Sequence, residues 1–185
     1  MSMPRAARSR IPALLLLACA MPAAAAARAD DPPAAPAAVT YLYRMRPGLT
    51  FHPASDGMEY ATDSGTGCIH HTGGLEQRLV HSVELPAGVT IDFVRFFYFD
   101  TSPTGHMKGY YADYDAAGNQ YEIASSASGA VSGYGSVLIT VNRTIDHRSR
   151  PVELSATLTG TDDSVRFCGA RIRYFADVIF TNGFD

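Results

Sequence analysis

Residues 85–100, LPAGVTIDFVRFFYFD, constrain the fold more than any other stretch of the chain. A Pro-Ala-Gly turn leads into Val89, Ile91, Phe93, Phe96 and Phe97, and this β-branched and aromatic density marks a strand. Strict alternation places Ile91, Phe93, Arg95, Phe97 and Phe99 on one face and Asp92, Val94, Phe96 and Tyr98 on the other. Both faces then carry large apolar groups, so the segment is expected as a central strand of a sandwich, with a bulge near Arg95.

The remaining segments are shorter and similar in kind. Strands are expected at 39–45, 58–62, 68–72, 107–115, 120–125, 134–141, 152–158 and 165–174, with 49–53 extended and 116–119 a hairpin loop. Residues 75–85 read either as a strand or as a short helix, and 142–150 as a crossover. In 165–174, alternation sets Cys168, Ala170 and Ile172 opposite Phe167, Gly169, Arg171 and Arg173. Many short strands between Gly, Asp and Ser turns, without an amphipathic helix or an internal repeat, indicate one all-β domain at 39–176. Its expected architecture is an antiparallel β-sandwich, jelly-roll-like.

The first 29 residues have the order of a secretory signal. Arg5, Arg8 and Arg10 precede the apolar run IPALLLLACA, which is too short to span a bilayer, and a small-residue stretch follows. Cleavage is expected near Ala29; the alternative is a lipidated N-terminus at Cys19. Residues 30–38, DDPPAAPAA, form a linker. With the four arginines of 1–29 set aside, 11 of the 15 basic residues face all 18 acids, a formal charge of −7. Lys108 is the only lysine. Such a balance argues against nucleic acid and anionic membrane surfaces as partners, because clustered Lys and Arg drive that binding. The mature chain has no transmembrane segment by this reading. The basic group Arg143, His147, Arg148 and Arg150 reads as a solvated loop.

Cys68 and Cys168 are the cysteines of the expected domain, and an exported chain lets them form a disulfide. The loop closed is about 100 residues, for which chain entropy gives on the order of 4–5 kcal/mol. Two isolated cysteines without CxxC or Cys/His spacing argue against zinc.

Several groups carry possible chemistry. Asp63-Ser64-Gly65-Thr66 resembles the active-site loop of aspartic proteases, which implies an acid protease that dimerises to pair two carboxylates. Residues 133–137, GYGSV, lack the spacing of a nucleophile elbow. His70 and His71 are adjacent and point to opposite faces of a strand, so with His52, His81 and His106 they read as structural or surface groups. Asp113 and Asp115, before Gly118-Asn119, have the oxygen-rich character of a calcium loop, although hairpin chemistry explains them equally. Tyr98, Tyr110, Tyr111, Tyr114, Tyr121 and Tyr134 exceed what the core requires. Of these, Tyr110, Tyr111, Tyr114 and Tyr134 make a candidate ligand or assembly face, and the lack of tryptophan counts against a dedicated sugar platform.

The sequence of motifs Gly67-Cys68, LPAGVTIDFVRFFYFD, YYADYDAAGNQ, SGYGS at 132–136 and FCGARIRY at 167–174 resembles a family of exported bacterial β-sandwich domains of unassigned function. The resemblance implies export, a sandwich and a cysteine pair, and no site residues. Residues 177–185, DVIFTNGFD, resemble a short ending of exported Gram-negative proteins, which implies an address or processing tag; a last edge strand is the alternative. The expected protein is an exported non-enzymatic module for surface or extracellular binding or structure, with a glycan-binding, lectin-like module as one alternative and the Asp63 protease as another. No cofactor is expected, and the sequence leaves the partner open, with a glycan and self-association as the candidates.

Overall fold

The turn-bounded apolar runs pair as antiparallel strands throughout. In chain order the strands are β1 (Tyr41–Pro47), β2 (His52–Pro53), β3 (Met58–Thr62), β4 (Ile69–Gly74), β5 (Arg78–Ser82), β6 (Val89–Asp100), β7 (Met107–Tyr114), β8 (Gln120–Ala127), β9 (Gly133–Thr144), β10 (Val152–Leu158) and β11 (Val165–Ala176). A 3₁₀ turn, Gly48–Thr50, follows β1. The computed structural model describes residues 39–63, 65–129, 133–146 and 148–176. The signal, lipidation, linker and tail expectations for 1–38 and 177–185 lie outside the described residues, as do Ser64 and His147.

Sheet A has the order β3-β4-β11-β6-β9, with β1 also paired to β11; sheet B has the order β2-β5-β10-β7-β8. The chain passes back and forth between the sheets as it runs from β4 to β11, which gives an antiparallel jelly-roll-like sandwich. Residues 75–85 resolve to the strand β5, and the expected crossover at 142–150 begins later, because β9 continues to Thr144.

The core lies between the sheets. Ile91, Val94, Phe96, Phe167 and Ile172 of sheet A meet Leu79, Met107, Tyr111, Leu154 and Leu158 of sheet B, all of them fully buried. Each such side chain contributes roughly 1.5–3 kcal/mol relative to exposure. Contact is close at Gly109, where a Cβ would lie 2.6 Å from the Phe96 ring. A glycine there lets a phenylalanine of one sheet rest directly on the backbone of the other.

Two bulges correct the strict alternation read from the sequence. In β6 the extra residue is Asp92, since Phe93 pairs with Arg173 and Ile91 with Tyr174. The irregularity therefore lies at Asp92 and not near Arg95, and it brings Ile91 onto the core face with Val94, Phe96 and Tyr98. In β11 the register shifts between Phe167 and Gly169. Phe167 consequently joins Ala170 and Ile172 in the core instead of opposing them. Gly169 has φ 138°, and a Cβ there would lie 2.4 Å from the Arg46 carbonyl oxygen, so the bulge requires glycine. Cys168, within this bulge, forms the expected disulfide with Cys68 at the entry to β4, with Cα atoms 4.0 Å apart.

Candidate functional site

Alternation along β7 sends Met107, Gly109, Tyr111 and Asp113 inward and Lys108, Tyr110, Ala112 and Tyr114 outward. In β10 the same rule sends Glu153, Ser155 and Thr157 outward. Register places Ser155 beside Tyr110, Thr157 beside Lys108 and Glu153 beside Ala112. On the other side of β10, Arg78 of β5 pairs with Thr157; on the other side of β7, Gln120 of β8 pairs with Tyr114.

These side chains surround an open cavity of about 180 Å³ lined by Arg78, Tyr110, Tyr114, Gln120, Ser155 and Thr157. Ser155 is buried, whereas Tyr110, Tyr114 and Thr157 are half-buried and Arg78 and Gln120 are exposed. Tyr110 and Tyr114 are four residues apart on one strand face, with the small Ala112 between them. The Lys108 ammonium lies 5.0 Å from the Tyr110 ring centroid. The Tyr114 hydroxyl donates to Glu153 Oε1 at 3.4 Å. Burial first, and the Glu153 charge second, push the Tyr114 phenol up, against the pull of Arg78. The site therefore combines two aromatic surfaces with donors and acceptors of both charges. It can stack a ring and hydrogen-bond hydroxyls around it.

The four tyrosines grouped in the sequence do not form one face. Tyr111 is 1% exposed and belongs to the core. Its phenol is pushed up to about 12, by burial first and the Asp113 charge second, with Arg143 acting in the opposite sense. Tyr134 is 67% exposed but lies on sheet A, where its ring meets Phe99 edge-on at 5.0 Å. Only Tyr110 and Tyr114 of the four reach the sheet B site. Of the other tyrosines noted in the sequence, Tyr98 is buried in the core.

The other sequence candidates serve the framework. Asp63 pairs with Arg166 and lies 3.4 Å from His70 Nδ1, while Asp163 takes the other end of the same guanidinium at 2.9 Å. Arg166 thereby holds Asp63 and Asp163 in one structural ion network. Asp115 accepts from the Ala117 and Asn119 amides and from Asn119 Nδ2, which closes the β7–β8 hairpin. Asp113 is buried at the other end of that motif. Among the described residues no group of three His, Cys, Asp or Glu side chains is arranged to hold a metal ion. His71 is buried with Nδ1 2.8 Å from the Gly160 carbonyl, and His81 Nδ1 is 3.0 Å from that of Thr50. Burial is the main force lowering the His81 pKa. Among the described residues no helix is long and apolar enough to cross a membrane.

Arg78, Gln120, Ser155 and Thr157 were not singled out in the sequence. Their outward direction follows from alternation, but their meeting around Tyr110 depends on the pairing of β5, β10, β7 and β8.

No family model and no curated protein matches the chain. A solved structure that is similar to it is a mutant family 29 carbohydrate-binding module, made to probe how that module recognises its ligand. The likeness has a TM-score of 0.43 and 11% sequence identity, and covers 80% of this chain and 100% of that one.

Proposed function

We propose that this protein is an exported, non-catalytic module that binds a neutral polysaccharide across the outer face of sheet B. The observation that carries the reading is the cavity between Tyr110 and Tyr114, which is lined by polar side chains from three neighbouring strands. Aromatic rings supply the apolar surface for the C–H face of a sugar, and Arg78, Gln120 and Glu153 supply directional bonds to its hydroxyls. At about 180 Å³ the cavity is smaller than the roughly 300–1,000 Å³ that encloses a whole small molecule. One unit of a longer chain lying over the sheet suits that size. The Cys68–Cys168 disulfide supports the export part of the reading, because such bonds persist in oxidising compartments.

The test is calorimetric titration of the purified, oxidised protein against a panel of neutral cell-wall polysaccharides, with molar mass followed by light scattering. The expected result is saturable binding by a monomer. Tyr110→Ala and Tyr114→Ala should each weaken it about tenfold or more, a change of about 1.4 kcal/mol in binding free energy, with the fold retained. A discrete oligomer that binds none of the panel, and that dissociates in Tyr110→Ala, would replace this reading with subunit assembly.

A further inference from the structure

The outer face of sheet A carries four arginines among aromatic rings, and they differ in one respect. Arg173 pairs with Asp92, and Arg166 pairs with Asp63 and Asp163. Arg95 and Arg171 have no carboxylate partner among the described residues. They are direct cross-strand neighbours on β6 and β11. Like charges so placed repel one another.

Both guanidinium groups are nevertheless held in position. That of Arg171 lies 5.4 Å from the Tyr43 ring centroid and 5.6 Å from that of Phe97; that of Arg95 lies 6.0 Å from Phe93 and donates to Ser136 Oγ at 2.9 Å. Each Nε is buried without a hydrogen-bond partner. The two cations are thus oriented by stacking, adjacent, and, among the described residues, without a counter-charge. Register surrounds them with Met45 and Leu138, and Tyr43 stands nearby, all of them exposed apolar or aromatic groups.

We infer that Arg95 and Arg171 form a second binding site, one that takes the carboxylate of an acidic, uronate-type polysaccharide. A carboxylate matches the planar fork of a guanidinium and would neutralise two charges that now repel. The surrounding rings offer the same stacking surface to a sugar that Tyr110 offers on sheet B. A peptide is the poorer occupant. β6 and β11 are paired on both sides and present no free edge for strand addition, so a flexible peptide would gain no backbone bonds to offset its loss of freedom. This site is on the opposite sheet from the proposed neutral-glycan site and does not depend on that reading.

The experiment compares binding of oligogalacturonate and of its methyl ester to the oxidised protein, at low and at physiological salt. The acid form should bind at least tenfold more tightly than the ester and weaken as salt rises. Arg171→Gln and Arg95→Gln should each cost about tenfold with near-ultraviolet circular dichroism unchanged, whereas Tyr110→Ala should leave this binding unaltered. Equal affinity for acid and ester in Tyr110→Ala, where the sheet B site is disabled, overturns the proposal. Equal competition by an oligoglutamate peptide would mean that charge alone is read, which also overturns it. If the acid form binds only after residues 177–185 are deleted, the face belongs to the chain's own tail and not to a glycan.

Discussion

On the outer face of sheet A, Arg95, Arg166, Arg171 and Arg173 each lie against an aromatic ring, and two of them also hold carboxylates. On the outer face of sheet B, Tyr110 and Tyr114 stand apart across Ala112 and leave a cavity between them. Sheet A packs its outer arginines against rings of the same face, and leaves Tyr43, Met45, Tyr134 and Leu138 exposed beside them. Sheet B sets two half-buried tyrosines around a cavity lined by polar side chains. The same residue types can therefore stack against cations on one face of a sandwich and frame a cavity on the other; what differs is which partner each side chain finds within its sheet.

The largest test of this division is removal of the disulfide. Replacing Cys68 and Cys168 together by Ala should cost on the order of 4–5 kcal/mol in urea unfolding, the value for releasing a loop of about 100 residues. Because the bridge belongs to sheet A, the variant that remains folded should keep its affinity on sheet B. A parallel loss of affinity would mean that the two faces are not independent.

A smaller effect separates Tyr111 from the surface tyrosines. The unfolded Tyr111 phenol ionises near pH 10, and in the folded protein it is pushed up to about 12. The unfolded chain therefore releases this proton first, and stability present below about pH 10 falls by roughly 2 kcal/mol as pH rises towards 12. Absorbance titration should show one phenol ionising after the others, and that late phase should vanish in Tyr111→Phe. If the late phase survives that change, a phenol other than Tyr111 carries it and the assignment of Tyr111 fails.

The smallest effect concerns the ion pairs. Asp92 and Arg173 are both partly exposed, so Asp92→Asn should lower stability by no more than about 1 kcal/mol in thermal unfolding. A loss of roughly 3 kcal/mol or more would instead indicate a desolvated network, and sheet A would be held by charge more than by stacking.

The strand pattern was largely legible in the sequence. β3 and β10 occupy the expected residues, and the cysteine pair forms the expected bridge. Faces were less legible, because one inserted residue inverts every side chain beyond it. Nothing in the local composition announces the extra residue at Asp92, and Gly169 suggests its bulge only once the pairing of β11 is known. The tyrosine face failed for two reasons. Tyr110 and Tyr111 are adjacent in one strand, so alternation alone separates them. The assignment of Tyr134 to sheet A depends on pairing with β6, more than thirty residues away. Arg78, Ser155 and Thr157 were hidden for the same reason, since a site assembled across strands is written in their register.

The most direct test of the account is the affinity of one neutral glycan, identified from the panel, for Tyr110→Ala and for Tyr134→Ala. Both changes remove a tyrosine ring from the surface, one from each face. The account predicts about a tenfold or greater loss for Tyr110→Ala and an unchanged affinity for Tyr134→Ala. The opposite pattern would place the glycan on sheet A and contradict it.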